Sequence, residues 1–400
     1  MQQSSAAPVL GSRALFPRLE TRAYLSHAAI SPVSEPVRQR VAALVDDYAQ
    51  HGVAAFGHWM QDRELVRERL ARLIGTVGSN LAFVANTTHG VLQVAQCLDW
   101  RRGDVMMLLD GEFPANVAPW LRAAEDYGLE VRWLGADSFR TNSAAALEHL
   151  EAELARGVRL LAVSAVQFQT GHRMPLDVIG QLCRHHETLL FVDGIQAVGA
   201  VPLDVGAGID FLSCGSHKWL MGLEGAGFLF VAPERASLLV PRTLGWLSHE
   251  EGERFLFDGP GHLRYDRKVR PAPRFIEGAT VNAVGLAALG AAVELIESLG
   301  MEPISGHIQR YIDALERELK ARGFTSLRSP EASGRSGILS TVPPGGIARA
   351  GAWQKALAAR GVACSLPDGY LRFAPHWPNA LDEVSLIVEA IDAAGPSLTG

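Results

Sequence analysis

An α/β fold built on a largely parallel sheet is what this sequence predicts, and three observations predict it. Seven short apolar runs recur at residues 81–85, 105–109, 130–134, 160–166, 189–192, 211–214 and 227–231. These runs are continuous Val, Leu and Phe rather than alternating, as in strands covered on both faces by helices. Segments of helical period separate them. Polar or unusual residues cluster just after the runs, where such sheets place their ligands.

The elements follow in chain order. Residues 1 to about 20 read as a loose arm, followed by a short extended piece at Tyr24-Leu25-Ser26-His27 and prolines at 32 and 36. Val37, Val41, Leu44 and Val45 recur at helical spacing, as do Leu65, Val66, Leu70, Leu73 and Ile74. The link between these helices, HGVAAFGHWM, reads as a loop that packs His58 and Trp59 or presents them to a substrate. After the seventh run the chain turns irregular, with Gly259-Pro260-Gly261 and Pro271-Ala272-Pro273, before a long helix at 284–299. Ile304, Ile308, Ile312, Leu315 and Leu319 then mark an amphipathic helix ended by Gly323. Two short strands near 337–342 and 369–374 and a closing helix at 381–393 complete the chain. The expected organisation is an N-terminal arm at 1–29, a large domain at 30–285 and a small α/β domain at 286–400.

Composition narrows the function classes. The chain of 400 residues is 48% hydrophobic and 20% charged, a globular and soluble balance. Its net charge of −6 gives no reason to expect nucleic acid or an anionic membrane as partner. The longest apolar stretch, 283–293, is too short and too rich in Gly and Ala to span a bilayer. Cys97, Cys183, Cys214 and Cys364 are scattered with no C-x-x-C, which argues against a zinc site or disulfide framework. With no hydrophobic signal core at the start, the expected location is the cytoplasm.

The chemistry is concentrated between residues 188 and 231. The run Leu189-Leu190-Phe191-Val192 delivers Asp193, and the run Phe211-Leu212-Ser213-Cys214 ends in Gly215-Ser216-His217-Lys218. A carboxylate and a lysine, each just past a strand, suit pyridoxal phosphate: the lysine condenses with the cofactor aldehyde and the aspartate faces the pyridine nitrogen. A turn cap and a solvated surface lysine are the alternative for an arbitrary pair of such residues. The stretch as a whole resembles the class V aminotransferase family, which includes cysteine desulfurases, selenocysteine lyases and isopenicillin N epimerase-like proteins. The resemblance is carried by Val192-Asp193-Gly194-Ile195-Gln196-Ala197, Pro202-Leu203-Asp204-Val205, Ser216-His217-Lys218 and Gly225-Ala226-Gly227. It extends over nearly everything from Tyr24 to Ala393.

The resemblance implies the fold of type I pyridoxal-phosphate enzymes and a set of roles. Lys218 is the catalytic amine. Thr88 and His89, opening a helix after the first strand run, bind the cofactor phosphate, as helix N-termini favour anions. A plain N-cap by Thr87 or Thr88 is the other reading. Phe113 stacks on the pyridine ring, Gln196 reaches the ring oxygen, and Ser216 and His217 add phosphate contacts. In Arg274-Phe275-Ile276-Glu277-Gly278-Ala279-Thr280-Val281-Asn282, Thr280 is the residue that crosses to a neighbouring subunit's phosphate, which implies a homodimer. Arg372 grips the substrate α-carboxylate, and His27 and His58 are substrate-pocket candidates. Gln167 reads equally as a ligand contact or a loop residue. No metal is implied.

The expected partner is thus a small amino acid, and the expected reaction begins with proton removal at its Cα. Transamination leads, with carbon–sulfur or carbon–selenium lysis and epimerisation behind it. A catalytically silent binding protein of the same fold is a reading from another class. Cys364, with only seven residues between it and Arg372 and in a strand-like run, does not suit the mobile nucleophile of a persulfide-forming desulfurase.

Overall fold

The computed structural model describes residues 7–398. Twelve strands follow in chain order. β1 is Ala23–Tyr24, β2 Leu81–Val84, β3 Val105–Asp110, β4 Glu130–Gly135, β5 Leu160–Ser164 and β6 Leu189–Asp193. β7 is Phe211–Gly215, β8 Gly227–Val231, β9 Thr325–Ser326, β10 Leu339–Val342, β11 Val362–Ala363 and β12 Leu371–Phe373. All seven apolar runs are strands of one sheet, in the order β2-β8-β7-β6-β5-β3-β4. Only β8 runs against its neighbours. The carboxyl ends of the other six therefore share one edge of the sheet.

Helices cover both faces, which is why strands such as β5, β6, β7 and β8 are buried along their whole length. The helix Thr87–Cys97 leans closely on β7. A Cβ at its Gly90 would lie 2.1 Å from Ser213 Oγ, so only glycine permits that approach. Its N-terminus is thereby brought beside the end of β7. On the other side, helix Ala283–Leu299 packs against helices Glu35–His51 and Phe56–Leu73.

The smaller unit is a three-stranded sheet, β12-β10-β9, with helices Met301–Ala321, Ala350–Ala358 and Glu383–Leu398. β10 and β12 match the two expected short strands; β9, two residues long, gave no sequence signal.

Two expectations change here. The first six residues of the expected arm lie outside the described residues, but the rest is packed rather than loose. Leu15 and Phe16 are buried, Arg13 donates to the carbonyls of Leu19, Thr21 and Arg22, and β1 pairs with β11. Arginine and apolar anchors outweigh the polar look of the segment. The link between the first two helices is itself helical, a 3-10 turn at Gly52–Ala55 running into Phe56–Leu73. Its Trp59 donates to Asp47 at 2.7 Å, a tertiary bond that stabilises the turn despite its glycines.

Candidate active site

Asp193 ends β6 and is 3% exposed. Its Oδ1 accepts from the Ile195 N–H at 2.9 Å, while Oδ2 has no hydrogen-bond partner among the described residues. Burial pushes its carboxyl up to about 6, opposed by that bond and by the charge of Lys218. Lys218 follows β7. Burial pulls its amine down to about 8, Asp193 works against that and Arg372 adds to it. The Lys218 Nζ lies 5.4 Å from the centre of the Phe113 ring. Phe113 leaves the end of β3 and is 44% exposed, with its ring edge-on to Phe168 at 5.3 Å.

The backbone of the lysine is strapped from the N-terminal segment. Ser31 N–H donates to the His217 carbonyl at 2.8 Å and Ser31 Oγ to the Lys218 carbonyl at 2.6 Å. With its own proton spent, Ser31 Oγ accepts from His27 Nδ1, 2.7 Å away, which sets the His27 tautomer. His27 is 1% exposed, wedged near Trp219 and His376, and burial lowers its pKa well below the ordinary histidine value. In this structure it braces Lys218 through Ser31. The packing of three rings leaves it no path outward.

Arg372, on β12, is 5% exposed. Its Nε donates to Ser365 Oγ at 2.9 Å and its Nη1 to the Phe168 carbonyl at 2.7 Å. No carboxylate pairs with it among the described residues, and burial lowers its pKa to about 10. A buried guanidinium without a counter-ion is held ready for an anionic ligand.

The helix Thr87–Cys97 presents its N-terminus at the same edge. Asn86, not Thr87 or Thr88, is the cap, accepting from the His89 N–H at 2.8 Å. Thr87 Oγ1 instead accepts from the Gly215 N–H at 2.9 Å and ties the helix to β7. Thr88 is exposed, and among the described residues its hydroxyl and the Thr87 and Thr88 N–H groups, first-turn donors of the helix, have no partner. His89 turns its ring back to accept from the Ala85 N–H at 3.2 Å.

The remaining expected residues divide. His217 is half-buried and makes no side-chain bond among the described residues. Ser216 is fully buried and donates its hydroxyl to the Leu223 carbonyl, so it has no proton left for a phosphate. Gln196 donates to the Ala28 carbonyl at 3.0 Å and accepts from Trp219 Nε1 at 2.8 Å, joining the site floor to the N-terminal segment. His58 is exposed on its helix, edge-on to Trp59, and touches none of the Lys218 group. The helical link points it to the outer surface.

Thr280 is exposed and borders two cavities that include neither Lys218 nor Asp193. The larger, about 850 Å³, is an apolar groove lined by Val53, Phe56, Leu65, Trp246, Leu256 and Phe257.

Sequence reasoning passed over Glu112 and Ser31. Glu112 accepts from the Ser164 N–H at 2.7 Å and from the Ser164 hydroxyl. Burial, helped by Asp193, pushes its carboxyl up to about 7 despite those bonds. A glutamate directly before Phe113 at a strand end was the available signal.

Comparison with known proteins agrees with this geometry. The aminotransferase class-V family model matches residues 23–366. The chain belongs to the class V aminotransferase family of pyridoxal-phosphate enzymes. It is similar to the uncharacterized aminotransferase YcbU of Bacillus subtilis, 27% identical, covering 95% of this chain and 96% of that one. It is also similar to the isopenicillin N epimerase of Streptomyces clavuligerus, 29% identical, covering 82% and 83%. Among solved structures, the cystine C–S lyase C-DES in complex with cysteine persulfide superposes with a TM-score of 0.84 at 22% identity, covering 94% of this chain and 99% of that one.

The residues present fit the cofactor of this class V enzyme. An acid with one unpaired oxygen, a half-buried amine, an aromatic face and a helix start with free donors stand at one sheet edge. When bound, pyridoxal phosphate supplies an aldehyde that holds the substrate amine and a ring that takes up the electron pair left at Cα.

Proposed function

We propose that this class V enzyme is an amino-acid aminotransferase in which Lys218 is the one base. Arg372 holds the substrate α-carboxylate, Asp193 faces the pyridine nitrogen, Phe113 covers the ring, and Thr88 with His217 and the helix start receives the phosphate. Lys218 Nζ takes the Cα proton and returns it on the same face, which one amine suffices to do. The observation that carries this reading is a buried Lys218 amine that feels both the Asp193 carboxylate and the Arg372 guanidinium, the latter without a carboxylate partner among the described residues.

Epimerisation needs a second proton carrier on the opposite face, and persulfide chemistry needs a mobile thiolate. Cys364 supplies no such thiolate. It is 8% exposed, and its neighbour Ser365 is bonded both ways to Arg372, at 3.1 and 2.9 Å. Burial pushes the thiol up to about 12.

The working unit in this reading is a cytoplasmic homodimer, with Thr280 reaching the phosphate of the partner site. Support comes from the exposure of Thr280, the apolar groove beside it, and four free buried cysteines that suit a reducing compartment.

The test is a panel of amino acids offered to the purified holoenzyme, following cofactor absorbance with keto acid, sulfide and alanine release. Stoichiometric keto acid with conversion of the cofactor to its amine form is expected. Sulfide release with no amine form would replace this reading with a carbon–sulfur lyase.

A further inference from the structure

Two loops from different strands must be held together for this site to exist. One follows β3 and carries Phe113; the other follows β5 and carries Phe168, whose carbonyl accepts from Arg372. Between them lies Gln167, 7% exposed. Its Oε1 accepts from the Gln169 N–H at 2.7 Å, the Thr170 N–H at 2.7 Å and Thr170 Oγ1 at 3.1 Å. Its Nε2 donates to Gln169 Oε1 at 3.2 Å and, across to the other loop, to the Gly111 carbonyl at 2.7 Å. Every donor and acceptor of the amide is used inside the protein, so Gln167 has nothing left for a ligand.

The bond to Gly111 is the informative one. The oxygen of Gln167 closes its own loop, which any capping amide does. Its nitrogen reaches a residue 56 positions away, at a turn where Gly111 has φ +92°. That turn is pinned from its other side by Glu112 on Ser164. With Gly111 and Glu112 both anchored, the chain that leads into Phe113 has little freedom in where it puts the ring.

We propose that Gln167 is a positioning residue that sets the spacing between Phe113 and Arg372, and hence between the covered face of the cofactor and the clamp on the substrate carboxylate. The inference rests on the site reading given above and adds the device that keeps its two halves in register.

Gln167→Glu tests it. The substitution keeps the shape of the side chain and an acceptor for the loop, but sets a carboxylate oxygen against the Gly111 carbonyl. In the full chain freed of cofactor, Lys218 is titrated by pH-dependent acylation and peptide mapping. Pyridoxal phosphate binding and the split between KM and kcat follow on the reloaded enzyme. With the ring displaced, the Lys218 titration should move up from about 8 toward the ordinary lysine value, with Asp193, Arg372 and Cys214 unchanged around it. Cofactor Kd should rise roughly tenfold, and KM should rise by a larger factor than kcat falls. Phe113→Ala should reproduce the titration shift, and adding the uncharged Gln167→Asn to it should change the titration no further, because both act through one ring, whereas Gln167→Glu also brings a carboxylate of its own.

A folded Gln167→Glu protein with wild-type titration and cofactor affinity would overturn the proposal. So would shifts that simply add in the double variant. If Gln167→Glu does not fold, Gln167→Asn, too short to reach Gly111 while capping its own loop, carries the same measurements. Should the wild-type chain take up no pyridoxal phosphate, the site reading falls, and the Lys218 titration still decides the role of Gln167.

Discussion

At the scale of the residue, the decisive property of Lys218 is how easily it becomes a free amine. Burial disfavours its charge, and the nearby Arg372 adds to that, while Asp193 only partly restores it. The lowered pKa means that protonation is lost through about pH 8 rather than near the ordinary lysine value. Only the neutral amine attacks an aldehyde. Uptake of pyridoxal phosphate by the cofactor-free chain should therefore accelerate as pH rises through about 8 and level off above it. Stopped-flow absorbance across a pH series measures this; a rate still climbing at pH well above 9 would show that the amine is not desolvated as described. Cys364 gives a complementary expectation. As a small buried residue with a raised pKa it has no part in turnover, so Cys364→Ala should keep kcat within a few-fold of wild type. A persulfide trapped on Cys364 would contradict that.

At the scale of the element, the segment carrying Thr280 is held by charge. Arg67, 1% exposed on helix Phe56–Leu73, donates to both oxygens of Glu277 and to the Leu81 carbonyl. Glu277 also accepts from the Phe83 N–H at 2.8 Å on β2. One carboxylate thus joins a helix, a strand and the loop that runs to Thr280. Without Glu277, Arg67 stays buried with only the more exposed Glu64 as its counter-ion, so the cost of a broken buried pair, about 3–5 kcal/mol, is the upper end of the expected loss. Glu277→Ala should lower unfolding stability by up to that amount in urea titration, with the Lys218 site weakened through Thr280 rather than directly. A loss below about 1 kcal/mol would mean that water reaches Arg67 and the lock is not buried.

At the scale of the whole molecule, Thr280 borders an apolar groove whose lining does not include the Lys218 of its own chain. If that face meets a second copy, each site takes parts from both chains. Mixing a Lys218→Ala protein with a Thr280→Ala protein then restores one unspoiled site per mixed dimer. Random re-pairing predicts recovery of roughly a quarter of wild-type activity. No recovery, with mixed dimers shown by mass spectrometry, would mean that each chain completes its own site. No single helix among the described residues is long and apolar enough to cross a membrane.

What the sequence by itself determined was everything written in local periodicity and in order along the chain. Strands buried on both faces need continuous apolar runs, so the inner strands were legible, while the edge strand β4 is largely exposed and alternates; the carboxyl-end rule then placed Thr88, Phe113, Asp193 and Lys218 at one edge. The strand-like setting of Cys364 was legible for the same reason. The tertiary structure alone decided what depends on partners far away in sequence. Ser216 was expected at the phosphate, and the Leu223 carbonyl takes its proton; His27 was a substrate-pocket candidate, and Trp219 and His376 pack against it. The helix at 56–62 formed against glycine and aromatic residues because Asp47 and the groove stabilise it. Gln167 was open between two readings, and only the Gly111 carbonyl, brought near by the pairing of β3 with β5, assigned it to the protein. A side chain's donors and acceptors are written in the sequence; which of them remain free for a ligand is settled by packing.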